Sequence, residues 1–193
     1  MTDFFNINAM VNKISSMVNC GACNDCEGES VYLMPWEVDY FKREFDANIA
    51  TIDDIHYLQR NRSNCQFFDE NKNCENCKIY EKRPFCCRLY PLGIFDDNGT
   101  AKWGVYKHCC SVKNIPVTFF SIVAEMLERE LSYEYCSYLH KEDRVGYLIE
   151  NLQGAGKFRR GNQRYQTLKD VGVLRPPQKE LFGFHKTRLV CHV

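Results

Sequence analysis

The chain has 193 residues, 45% apolar, 26% charged and 13% aromatic, which excludes wholesale disorder and supplies enough apolar side chains for one ordinary core. Lys+Arg and Asp+Glu both number 25, and no run approaches the roughly 18 apolar residues that span a bilayer, so no membrane span is expected. Twelve cysteines are the outlier.

Phe4, Ile7, Val11, Ile14 and Val18 recur at helical spacing, which predicts an amphipathic helix over residues 3–18. It leads into Cys20-x-x-Cys23-x-x-Cys26, bracketed by Gly21 and Gly28, which suit tight turns. Residues 31–34 read as a short strand. Pro35 then opens a helix over about 36–47, with Trp36, Tyr40, Phe41 and Phe45 available for burial. Thr51, followed by Asp53 and Asp54, is read as the cap of another short helix through Gln59.

From Asn61 to Gly104 the chain turns irregular. Asp96-Asp97-Asn98-Gly99 predicts a hairpin turn, with a second strand at about 101–106. Pro116 opens the longest expected helix, about 117–131, whose apolar stripe is Phe119, Phe120, Val123, Met126, Leu127 and Leu131. One or two further helices are expected around 132–140 and 143–152. Beyond Leu152, Gly154, Gly156 and Gly161 alternate with basic residues and read as a mobile linker or arm.

Residues 1–156 hold 16 basic against 23 acidic side chains, whereas residues 157–193 hold 9 against 2. Such a basic segment can meet an acidic protein or a nucleic acid, or lie along the acidic body of its own domain. The opening Met-Thr-Asp-Phe-Phe-Asn has no basic n-region, and neither a long apolar stretch nor a small-residue cleavage site follows. The expected location is therefore the cytoplasm, where thiols stay reduced and clustered cysteines bind metal more often than they pair. The even cysteine count leaves a secreted disulfide scaffold as the alternative.

Soft metals need several thiolates converging within a few ångströms, and two intervening residues let a chain turn both sulfurs onto one ion. Cys20/Cys23, Cys23/Cys26 and Cys74/Cys77 have that spacing. The triple matches the first three ligands of a bacterial four-iron ferredoxin run, but the fourth position is absent, so a distant thiolate such as Cys65 or Cys87 must complete any cluster. Of the vicinal pairs, Cys86-Cys87 and Cys109-Cys110, one member can ligate while the other packs. Cys136 and His140 lie four apart on an expected helix; with no other ligand nearby in sequence, their spacing is read as coincidence, and Cys136 as a buried thiol.

The order Cys-x-x-Cys-x-x-Cys, then Cys65-Gln-Phe-Phe, Cys77-Lys-Ile-Tyr80 and Arg83-Pro84-x-x-Cys87-Arg88-x-x-Pro91 resembles the YkgJ-type cysteine-cluster proteins, the CxxCxxCC zinc- or iron-chelating domain family, over about residues 20–110. Tyr90 stands where that family usually has Phe, and Glu27 follows Cys26 where the family name has a second cysteine. The resemblance implies metal ligation by Cys20, Cys23, Cys26, Cys65, Cys77 and Cys87, with one of Cys109 or Cys110. Cys74 and Cys86 are extra to the pattern, and Glu27 or His108 are further possible donors. Arg83 and Arg88 would offset thiolate charge, and Tyr80 would pack.

The expected architecture is mainly α with irregular loops and a small β-hairpin, a compact single domain organised around a cysteine-ligated metal site. Residues 1–152 form the metal-binding domain and residues 153–193 a basic C-terminal arm or tail. The expected function is a cytoplasmic metal-binding protein whose [4Fe–4S] cluster or zinc has a structural or redox role. One alternative is a protein-modifying enzyme related to flagellin lysine-N-methylases, which contain a related cysteine pattern. Another is a metal or redox sensor that binds nucleic acid or a protein partner through residues 157–193.

Overall fold

The computed structural model describes residues 3–18, 31–61, 64–69, 77–107, 109–131, 133–152 and 165–172. Helix α1 (Asp3–Met17) follows the predicted periodicity, and Ile7, Val11, Ile14 and Val18 are all buried. Strand β1 (Tyr32–Leu33) leads to a 3₁₀ turn, Pro35–Glu37, and helix α2 (Val38–Phe45). Asp46 ends α2 in the left-handed region, with its N–H bonded back to the Phe41 carbonyl.

The segment read as a capped helix at Thr51 is instead a β-hairpin, β2 (Ile49–Ile52) and β3 (Ile55–Leu58). Asp53 and Asp54 both have positive φ, 49° and 63°, and form the two-residue turn. That turn twists in the same sense as the strands it joins, and Ile, Thr and Tyr favour the pleated surface over a helix. With β1 on the other side of β3, the result is an antiparallel sheet in the order β1-β3-β2. Strands β4 (Arg60–Asn61) and β5 (Asn64–Cys65) form a short ladder beyond it.

After helix α3 (Phe85–Leu89) comes the predicted hairpin, β6 (Leu92–Asp97) and β7 (Thr100–Tyr106), turning at Asn98-Gly99. It belongs to a larger sheet. Helix α4 (Val117–Glu130) and a single long helix α5 (Tyr133–Leu152) follow. Residues 165–170 of the basic segment then form β8 (Tyr165–Asp170), which pairs antiparallel with β7. The architecture is therefore mixed α/β with two three-stranded antiparallel sheets, not mainly α with one hairpin.

The larger core joins α1, α3, α4 and α5 to the β6-β7-β8 sheet, with Trp103, Phe85, Phe120 and Leu127 fully buried. Met126, placed on the predicted stripe of α4, is 45% exposed. A smaller core gathers Leu33, Phe41, Ala47 and Leu58. The Tyr138 hydroxyl spans the two, donating to the Leu33 carbonyl at 2.6 Å and accepting from the His56 N–H at 3.1 Å. The core among the described residues is thus organised by sheets and helices rather than around a metal site. No helix among them is long and apolar enough to cross a membrane.

Gly104 lies where β7 passes under two stacked rings, Phe95 and Tyr165, whose centroids are 5.2 Å apart. A Cβ there would sit 2.5 Å from Phe95 Cε1 and 2.8 Å from Tyr165 Cβ. Gly104→Ala is therefore expected to destabilise the protein by about 1–3 kcal/mol through overpacking, measured by urea unfolding. A loss below a few tenths would show that the rings yield freely.

Candidate metal centre

The Cys65-Gln-Phe-Phe motif is built as a corner. Cys65 ends β5 opposite Arg60, and the Phe68 N–H closes the turn on the Cys65 carbonyl at 2.9 Å. The Gln66 amide accepts from the Asn48 N–H and donates to the Asn48 and Gln59 carbonyls, fastening the corner to the β2–β3 hairpin. Phe67 packs with Phe41 and Phe45 in the smaller core. Phe68 bridges to Cys77, and the Lys78 N–H reaches the Phe67 carbonyl at 2.8 Å. Two cysteines twelve residues apart are thereby tied together by backbone.

From Cys77 the chain passes through a 3₁₀ turn, Tyr80–Lys82, to Arg83, Pro84 and α3, which carries Cys86 and Cys87. Arg83 is buried and held from several sides: Nε donates to the Tyr80 carbonyl at 2.9 Å, Nη2 to Ser15 Oγ at 2.6 Å, and Cζ lies 3.6 Å from the centroid of the Tyr80 ring. These contacts lock the approach to α3 onto α1. Arg88 donates to Asn12 Oδ1 on the same helix.

Glu37 holds the other side. Its carboxylate accepts the Met34 N–H at 3.0 Å and the first N–H of α3, from Phe85, at 2.7 Å, with Arg88 at 3.9 Å. Burial pushes its pKa up to about 7, against the downward pull of those two N–H groups and of Arg88. One buried carboxyl thus joins β1, the Pro35 turn and the cysteine helix.

Burial pushes the Cys65 thiol up to about 12; the Phe67 N–H opposes this, and the Cys87 and Cys77 sulfurs add to it. Cys87 is held well above its ordinary range, first by its contact with Cys86 and then by burial, while Arg83 acts in the opposite direction. Cys65, Cys77 and Cys87 come from three separate segments, of which the Phe68–Cys77 bridge joins the first two. Sulfur donors suit a thiophilic metal, which would displace their protons on binding. Among the described residues, no three Cys, His, Asp or Glu side chains stand close enough to hold an ion by themselves.

Residues 17–111 match the family model CxxCxxCC, described as "Putative zinc- or iron-chelating domain". Residues 17–111 are therefore a CxxCxxCC-type domain. No curated protein and no solved structure matches the chain. The expected ligands Cys20, Cys23 and Cys26, and the further candidate donors Glu27, Cys74 and His108, lie outside the described residues. Cys109 is 2% exposed within the larger core, and Cys110 begins a 3₁₀ turn, Cys110–Asn114.

Cys136 is buried in the larger core, and His140 Nε2 lies 2.7 Å from Asp96 Oδ1, tying α5 to the β6–β7 turn. Sequence reasoning missed Glu37 as part of the site's support. The available signal was a Pro at the first and a Glu at the third position of a helical turn, the arrangement in which the Glu reaches back to the capping N–H.

Proposed function

We propose that the CxxCxxCC domain of this chain binds zinc or an iron centre through thiolates drawn from Cys20, Cys23, Cys26, Cys65, Cys77 and Cys87, with one of Cys109 or Cys110, and that the metal is structural. The observation that supports this is the backbone pairing of the Cys65 corner with the Cys77 segment, through the Phe68–Cys77 bridge and the Lys78 N–H on the Phe67 carbonyl, which brings two candidate ligands from separate segments together. A metal there would fasten the β4–β5 corner, the residue 77–82 turn and α3 to one another. The thiols would stay available in a reducing compartment such as the cytoplasm.

Arg83 and Arg88 would supply part of the positive charge that a set of thiolates around one divalent ion requires. The test is metal analysis of anaerobically purified full-length protein, coupled to visible absorption. Stoichiometric zinc without colour, or iron with a brown chromophore, supports the reading and separates the two metals. Protein that carries neither and takes up neither on reconstitution would refute it.

A further inference from the structure

Cys86 is extra to the family pattern, yet it is placed as a ligand would be. Its sulfur stands 3.8 Å from that of Cys87. In a tetrahedral thiolate site with metal–sulfur bonds of about 2.3 Å, neighbouring sulfurs lie about 3.8 Å apart, the edge of the tetrahedron. Neighbours on a helix turn diverge by about 100°, so the two side chains must lean toward each other to reach this separation.

The helix that carries them is short but anchored at both ends: Glu37 accepts the Phe85 N–H, and Arg88 donates to Asn12. We propose that Cys86 and Cys87 chelate the same metal ion. The inference rests on the metal-binding reading above and narrows it. A four-iron cluster takes one cysteine on each iron, so two adjacent sulfurs at a tetrahedral edge fit a mononuclear ion instead.

The coordination step involves no redox change. The Cys86 thiol now donates to the Tyr32 carbonyl at 3.0 Å. On binding, Cys86 and Cys87 each release one proton to solvent, and each sulfur forms one bond to the divalent ion.

The probe is cobalt(II), added to metal-free full-length protein, in the wild type and in the Cys86→Ser, Cys87→Ser and Cys136→Ser variants. Cys86→Ser is expected to lower cobalt affinity at least about 10-fold, the lower bound for losing even an outer-shell partner. It should also remove about a quarter of the sulfur-to-cobalt charge-transfer absorption, as one thiolate of four is lost. Cys87→Ser should behave alike and Cys136→Ser should match the wild type. A Cys86→Ser protein with wild-type affinity and absorption, beside a defective Cys87→Ser, overturns the shared ion while leaving metal binding intact. A wild type that takes up no cobalt, zinc or iron overturns both readings. If Cys86→Ser does not fold, alkylation of the wild type decides: cobalt should slow modification of Cys86 and Cys87 together, and an unchanged Cys86 rate overturns the proposal.

Discussion

Stripping the metal with a strong chelator is expected to loosen the smaller core and leave the larger one standing. Hydrogen exchange should show the amides of β2, β5 and residues 77–82 losing protection by at least about 100-fold, the equivalent of only about 3 kcal/mol. Amides of β6 and β7 should keep theirs. Among the described residues the smaller core gathers four buried apolar side chains, Leu33, Phe41, Ala47 and Leu58, with Phe67 and Ile79 packed at its margin. Structural zinc contributes about 10–16 kcal/mol of apparent binding energy in small domains, as much as most whole proteins have in net stability. Strand β3 should respond less than β2, because the Tyr138 hydroxyl ties its backbone to α5. Uniform loss of protection across both cores would show a single cooperative unit instead.

The second large effect is expected at Glu37. Glu37→Ala leaves the Met34 and Phe85 N–H groups buried without their acceptor, at about 1–3 kcal/mol each, so a loss of about 2–6 kcal/mol is expected in urea unfolding. Glu37→Gln should cost less, because its carbonyl oxygen still accepts one of the two. The pair of variants also separates charge from geometry through pH. The Glu37 carboxyl has a pKa of about 7 in the fold against an ordinary 4.5, so the folded chain keeps a proton that the unfolded chain has released. Its contribution is complete below pH 4.5, declines as pH rises through that window, and is lost above about 7. The full change is about 3 kcal/mol. Stability measured across this range should fall less steeply for Glu37→Gln than for the wild type; parallel slopes would place the titration elsewhere.

Helices α1 and α4 were legible because their apolar residues repeat at helical spacing on the faces that meet the core, as Ile7, Val11 and Ile14 do. The β2–β3 hairpin was not. Asp53 and Asp54 are as common in a helix's first turn as in a tight reversal, and only the left-handed backbone at both positions distinguishes the two. At the site, Cys65, Cys77 and Cys87 stood out through local spacing, which a sequence displays directly. Glu37 acts on Phe85 from 48 residues away. The approach of Cys86 to Cys87 depends on how α3 is held, and neither relation leaves a periodic trace in the chain.

Strand β8 carries the basic segment back into the body of the protein. Its Tyr165 ring stacks on Phe95, and its Lys169 ammonium pairs with the buried Glu128 carboxylate at 2.9 Å. The charge asymmetry between the two parts of the chain is therefore partly spent inside the molecule rather than offered to the outside. A chain ended after Leu152 would not be this fold without its tail. It would present β7 as a raw sheet edge, with unpaired backbone donors and acceptors open to any other strand, and a truncation meant to isolate the metal-binding region would have to keep residues 165–172 to cover that edge.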